Sequence, residues 1–326
     1  MGMETFYPLY FQPVYKSYIW GGKDIVSDFH RTEAPEQVAE SWEISDRQDG
    51  MSVVANGIWQ GLTLHELLEK LGEGLVGKGR RFSAFPLLIK LIDSHEHLSI
   101  QVHPDDVKAR LLGAEPKTEM WYVLKADKQA AVYAGLKPNI DREAFKKVIE
   151  TGTVLDVLEK IAVKSGDVIF VPGGTVHAIL TGCLLLEVQQ NSNTTYRIYD
   201  WGRVEKDGTA RPLHISEALQ AIDWVHRPSP KSVPVLLHKD KTLHIERLLK
   251  TAYFEMQYVE TIETWEPMVN EESFQVFFAL EGEAELTTQG GMETMILGRT
   301  YLVPAACKKV KIIPKTTSVR ILRVTL

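Results

Sequence analysis

Two stretches of the chain, GDVIFVPGG at 166–174 and GRTYLVPAA at 298–306, lie 132 residues apart. Each has a glycine, a short apolar run ending in Val-Pro, and then two small residues, with the same step from glycine to proline. Upstream, MWYVLKADKQA at 120–130 is echoed by VFFALEGEAEL at 276–286. Self-similarity on this scale demands an architecture built twice. The first copy holds about 24 more residues between its landmarks than the second. That surplus is the length of NIDREAFKKVIETGTVLDVLEKI at 139–161, which reads as two helices divided at Gly152.

Around these landmarks, short alternating or β-branched runs bounded by Gly, Pro and Asn recur about every ten residues, the signature of a sandwich or barrel. Helical pattern is confined to a few places. Thr63 with Glu66 forms a capping box before Leu64, Leu67, Leu68 and Leu71. DDVKARLLG at 105–113 opens on an aspartate cap, and HISEALQAI at 214–222 supplies one more helix. The chain is therefore expected to be mainly β: two β-barrels of one ancestry, the first, residues 1–228, carrying a helical insertion, the second residues 229–326. A turn-rich linker is expected at VHRPSPKSVP, 225–234.

Composition excludes several function classes. The formal net charge of −6 argues against a nucleic-acid or anionic-membrane partner. No apolar run approaches the roughly 20 residues of a membrane span, and the aromatic, proline-bearing N-terminus does not read as a secretory segment. Two cysteines, Cys183 and Cys307, give neither a disulfide framework nor a thiolate zinc site, so a reducing cytoplasm is expected. The residues do not speak to oligomeric state.

Strand residues alternate faces. Ser99, Gln101 and His103 therefore share one face, with Ile100 and Val102 on the other. The same parity groups Lys117, Glu119 and Trp121; Thr175, His177 and Ile179; Leu185, Glu187 and Gln189; and Thr195, Arg197 and Tyr199. Charged groups gathered inside a barrel cost several kcal/mol each if left unmatched. A divalent metal bound by His103, Glu119 and His177, with Gln101 as a fourth ligand, resolves the pattern, and imidazole with carboxylate suits zinc. The glycines of VPGGTVH permit the tight bend that would carry His177 to the barrel mouth. Taken singly, a strand histidine followed by proline such as His103 is more often a structural or exposed residue, and Glu119 could pair with Lys117 or Lys125. HEH at 95–97 could chelate, but it falls in a polar turn. In the second copy His177 is replaced by Lys309 and QVHP has no counterpart, so chemistry is expected in the first barrel only.

QVHPDD at 101–106, PKTEMWYVL at 116–124, GDVIFVPGGTVHAI at 166–179 and LLEVQQNSNTTYRIYDWGR at 185–203 resemble the successive motifs of the type I phosphomannose isomerases, in their short bacterial form, within the cupin superfamily. ESWEIS at 40–45 and YIWGG at 18–22 match as well. The resemblance implies jelly-roll barrels and interconversion of mannose 6-phosphate and fructose 6-phosphate. It implies one zinc per chain at Gln101, His103, Glu119 and His177. It also implies active-site roles for Arg197, Lys117 and Glu187, and sugar-phosphate contacts at Lys90, Ser99 and Arg203. Isomerisation through a cis-enediol needs a base ionised at neutral pH within hydrogen-bond reach of C1 and C2, for which Glu187 is the candidate. Two rival readings fit the same donor set. A ferrous dioxygenase would also use two histidines and a carboxylate, and a sugar-phosphate sensor would keep the pocket without turnover.

Overall fold

The computed structural model describes residues 6–205, 207–226 and 229–326. Arg227 and Pro228, within the expected linker and at the expected domain boundary, lie outside the described residues, as do the first five residues. The expected mainly β architecture is observed, in sheets of two, six, five, six and three strands. The sheets stay open, and no closed barrel forms among the described residues. No described helix is long and apolar enough to cross a membrane.

Contacts divide the chain into two compact units, each discontinuous in sequence. One comprises Tyr15–Ser41 and Ile89–Ser232; the other takes Trp42–Leu88, Val233–Leu326 and, of the described N-terminal residues, 6–14. The last boundary falls close to the expected 228/229 division, while 42–88, grouped with the first barrel in the sequence, belongs with the C-terminal strands.

The sequence echo has a direct structural counterpart. One six-stranded sheet runs Val168–Val171, Glu119–Ala126, Cys183–Gln190, Leu87–Ser94, Glu40–Ile44, Val14–Lys16. The other runs Thr300–Val303, Gln275–Glu281, Val319–Thr325, Glu255–Thr261, Leu243–Lys250, Val235–Lys239. Registers correspond: Val171 pairs with Glu119 as Val303 pairs with Gln275, and Glu187 faces Trp121 as Arg323 faces Phe277. Opposite the first of these sheets lies a five-stranded sheet ordered Tyr196–Tyr199, Ile100–Val102, His177–Ile179, Ala131–Leu136, Leu158–Ala162. Trp121, Val123, Ile169 and Leu185 from the six-stranded sheet share one buried cluster with Val132, Ala134 and Ile179 from the five-stranded one. Each large apolar side chain withdrawn there contributes on the order of 1.5–3 kcal/mol. This burial, not ladder hydrogen bonds, holds the two sheets together.

Helices are where sequence and structure part. Arg142–Glu150 forms as expected, capped by Asp141, whose side chain accepts from Ala144 N at 2.8 Å. The second helix expected after Gly152 does not form. A single 3-10 turn, Val154–Val157, leads into the strand Leu158–Ala162, which pairs with Ala131–Leu136. A free sheet edge decides there, because short apolar spacing suits helix and strand alike. The Thr63–Glu66 capping box and the Asp105 cap are both present, the latter accepting from Val107 N and Lys108 N.

The YIWGG segment is held by a close approach. A Cβ on Gly22 would stand 2.4 Å from Asp93 Oδ1. Asp93, buried beneath it, accepts from Asp24 N at 2.6 Å and so caps the Asp24–Asp28 helix; its burial pushes the carboxyl up to about 6. Gly22→Ala overpacks this contact and is expected to cost about 1–3 kcal/mol. A thermal melt of the variant coinciding with that of the parent protein would show that the segment yields freely.

Candidate active site and metal centre

The VPGG turn builds the site. Gly173 has no room for a side chain, since a Cβ would stand 2.7 Å from Asp105 Cα, and Gly174 adopts φ 92°. Gly174 N donates to His103 O at 2.7 Å, tying the turn to the end of the Ile100–Val102 strand. His177, opening the next strand, then pairs with Gln101. Glu119, at the start of its own strand, completes the group. The His103, Glu119 and His177 donor atoms all lie within 4.8 Å of one another, and all three side chains are buried. Among the described residues this is the one such group of three or more His, Cys, Asp or Glu donors.

The hydrogen bonds around the imidazoles set their tautomers. His103 Nδ1 lies 2.7 Å from Thr194 O and His177 Nδ1 2.8 Å from Thr175 O, so each Nδ1 donates to a carbonyl and each Nε2 carries its lone pair inward. Those Nε2 atoms stand 3.5 and 3.3 Å from the two Glu119 oxygens. Donor separations of about 3.3 Å are what metal–ligand bonds of about 2.0–2.1 Å at tetrahedral angles require. Burial, with Lys117 beside His103, holds both imidazoles neutral: His103 falls well below its ordinary range and His177 to about 4. Neutral imidazole is the ligating form. Buried Glu119 Oε2 has Lys117 Nζ at 2.7 Å as its ion-pair partner and no further hydrogen-bond donor among the described residues. The donor set therefore fits a zinc-type ion on its own chemistry. Gln101 lies against it, with Nε2 3.3 Å from His177 Nε2, and Ser99 Oγ donates to Gln101 Oε1 at 3.1 Å.

A chain of charges continues from the donors. Lys117 Nζ is 2.7 Å from Glu119 Oε2 and 3.1 Å from His103 Nε2. On the far side it reaches Glu187 Oε1 at 3.8 Å, and Lys90 Nζ reaches the same oxygen at 3.1 Å and Glu40 Oε2 at 3.4 Å. Trp121 Nε1 donates to Glu187 Oε2 at 2.8 Å. Burial alone would raise the Glu187 carboxyl, but Lys90 and Lys117 together outweigh it and hold the group below its ordinary range. Burial opposes the charge on Lys90 too, yet Glu187 and Glu40 hold its ammonium above the ordinary lysine range. Glu187 is thus an ionised carboxylate kept dry, and Glu119, raised by burial and by Glu187 to about 7, is its neighbour.

These groups line a cavity of about 400 Å³ with Ser99, Gln101, His177, Arg197 and Arg211, walled by Tyr18, Trp20 and Trp121. Face parity placed Ser99, Gln101, His103, Lys117, Glu119, His177 and Arg197 together, and so the structure finds them. Parity fails at Tyr199, because the pairing with Ile100–Val102 is irregular between Arg197 and Tyr199; Tyr199 turns away and packs by Trp201. Arg203 is not among the described residues lining the cavity. It donates to Asp200 Oδ1 at 2.6 Å and to His97 O. His97 of the HEH segment accepts from Thr181 N and lies against Trp201, away from the donor group. Glu40 and Arg211 line the cavity without having been singled out by sequence reasoning. Glu40 lay inside the ESWEIS motif, whereas Arg211 had no periodic signal.

The chain resembles known proteins over most of its length. Residues 9–135 match the family model for the phosphomannose isomerase type I catalytic domain. The mannose-6-phosphate isomerase ManA of Bacillus subtilis (strain 168) is 37% identical over 288 residues, 86% of this chain and 87% of the relative. A crystal structure of the mannose 6-phosphate isomerase from Bacillus subtilis superposes with a TM-score of 0.89 at 32% identity, covering 98% of this chain and 99% of that one. A structure described as mannose 6-phosphate isomerase bound with zinc and yttrium shares the fold, with a TM-score of 0.72 at 16% identity over 97% of this chain and 98% of the other.

Proposed function

The chain belongs to the type I phosphomannose isomerases, and on that premise we propose that it is a mannose-6-phosphate isomerase that interconverts mannose 6-phosphate and fructose 6-phosphate with one zinc per chain. The observation that carries this reading is the buried His103–Glu119–His177 group with an ionised carboxylate, Glu187, reached by the lysine that also touches Glu119. We assign zinc to those three donors, with Gln101 as the fourth ligand once its amide is turned to present oxygen; the two amide orientations differ only in which atom is called nitrogen. Held by these residues, with a single carboxylate among them, zinc would keep about one positive charge and would supply Lewis-acid polarisation of the substrate.

The proton moves on the chain's own groups. Glu187 takes the proton from C2 of the open-chain aldose, leaving a cis-enediolate; the O2 hydroxyl proton passes to O1, and Glu187 returns its proton to C1 to give the ketose. Lys117 stands within reach of Glu119 and Glu187 and stabilises charge developing on the sugar oxygens or assists ring opening. Trp121 Nε1 fixes the Glu187 carboxylate so that one oxygen faces the substrate. Arg197 holds anionic oxygens in its planar fork. The phosphate does not react, and its binding fixes the sugar for proton transfer. Ser99 and Lys90 line the same cavity as candidate phosphate contacts, although Lys90 already divides its charge between Glu187 and Glu40. Arg203 acts from behind, through Asp200.

The second unit carries no such chemistry among the described residues, and we assign it a structural role. Two unpaired buried cysteines fit a cytoplasmic enzyme. A coupled assay for mannose 6-phosphate isomerisation tests the reading. Activity is expected to vanish on chelation and to return with zinc, while activity indifferent to chelator refutes the metal.

A further inference from the structure

The anion-binding end of the cavity contains an arginine with no part in the assignments above. Arg211 lines the cavity together with Arg197. It is anchored from behind by Asp200, with Nε 2.8 Å from Oδ2 and Nη2 also on Oδ1. The same carboxylate takes Arg203 Nη2. Asp200 is buried; burial alone would raise it, but Arg211 and Arg203 outweigh that and keep it ionised. One carboxylate thus fixes two guanidiniums, of which Arg203 turns to His97 O and Arg211 to the cavity.

Arg197 supplies the second observation. Its Nη1 donates to Pro212 O at 2.9 Å, next in the chain to Arg211, while its Nε is buried and donates to nothing. A buried guanidinium nitrogen without an acceptor is costly. Burial and then the nearby Arg211 both disfavour the charge on Arg197. Asp200, together with Glu205 at 3.9 Å from Arg211 Nε on the same cavity, balances part of this charge; the buried Arg197 Nε is the donor left for a ligand anion.

We propose that Arg211, fixed by Asp200, forms with Arg197 the clamp that receives the substrate phosphate, in the place that the sequence motif assigns to Arg203. Lys90 is turned to two carboxylates and serves the proton-transfer end. The clamp rests on the isomerase reading, but it predicts an effect that falls mainly on KM and on inhibition by inorganic phosphate, and less on kcat.

The test uses the full-length zinc-loaded enzyme, its Arg211→Gln and Arg211→Lys variants, mannose 6-phosphate as substrate and inorganic phosphate as competitive inhibitor. Loss of a charge-assisted, forked contact is expected to raise both KM and the phosphate inhibition constant by roughly tenfold or more in Arg211→Gln. Zinc content should stay near that of the parent, and kcat should fall by less than kcat/KM, because the phosphate grip also positions the sugar. Arg211→Lys keeps a charge for Asp200 but loses the fork, and a rise of several-fold in both constants is expected. If Arg211→Gln is too unstable to assay, Arg211→Lys decides alone. A variant that isomerises mannose 6-phosphate with parental KM and parental phosphate inhibition overturns the clamp and leaves the isomerase reading standing. A parent enzyme without isomerase activity removes the reading itself.

Discussion

His103→Ala is expected to leave a folded protein that binds no zinc and isomerises mannose 6-phosphate at least about 10³-fold more slowly, since a Lewis acid contributes several kcal/mol to charge stabilisation and about 4 kcal/mol is a thousandfold in rate. The fold should survive because the change strands little. Glu119 keeps Lys117 at 2.7 Å as its ion-pair partner, and His177 keeps its Thr175 bond. Only Thr194 O loses a donor, at a cost of about 1–3 kcal/mol. Metal analysis and the coupled assay check both halves of the expectation. A variant that retains zinc stoichiometrically, or whose activity is restored by added zinc at ordinary concentration, would show that His103 is not a ligand.

The donor set was legible in the sequence because it rests on strand parity, the most local rule a β protein obeys. Gln101 and His103 share a face whatever else the chain does. The VPGG turn advertises its bend through two glycines, one denied a side chain by Asp105 and one at positive φ. Where parity is interrupted, legibility ends. The irregularity after Arg197 sends Tyr199 outward, and nothing in TTYRIYD marks it. Arg211 lies beyond the Tyr196–Tyr199 strand, in a segment without periodicity, and reaches the cavity only because Asp200 catches it. Leu158–Ala162 was mistaken for helix because the edge of Ala131–Leu136, which recruits it, is distant in sequence.

The second unit repeats a strand order of the first without its polar residues. The register places Gln275 where the first unit has Glu119, and Arg323 where it has Glu187. Arg323 Nε donates to Gln275 Oε1 at 2.8 Å. A carboxylate pair that needs cations has become an arginine–amide pair, which offers no negative charge for a metal to neutralise. Strand order can therefore persist while the chemistry disappears, because the apolar face that unites the sheets is separate from the polar positions that carry the reaction.

Glu187→Gln tests the reaction end of those positions. The amide keeps the size of the side chain and an oxygen for Trp121 Nε1, so the cavity should retain its shape. It cannot take a proton, and removal of a positioned general base is expected to lower kcat by about 10²–10⁴ with zinc still bound and KM little altered. Stability supplies a second readout with a definite sign. Lys90 and Lys117 outweigh burial and depress the Glu187 carboxyl in the folded protein. A depressed carboxyl contributes stability above its unfolded value of about 4.3 and loses it as pH falls through the folded value. The variant should therefore melt below the parent at neutral pH, with the difference shrinking as the medium is acidified. Near-parental turnover in a zinc-loaded Glu187→Gln enzyme would sink the assignment of the base. Lys117, which reaches Glu119 at 2.7 Å and Glu187 at 3.8 Å, would then be the next group to carry the proton.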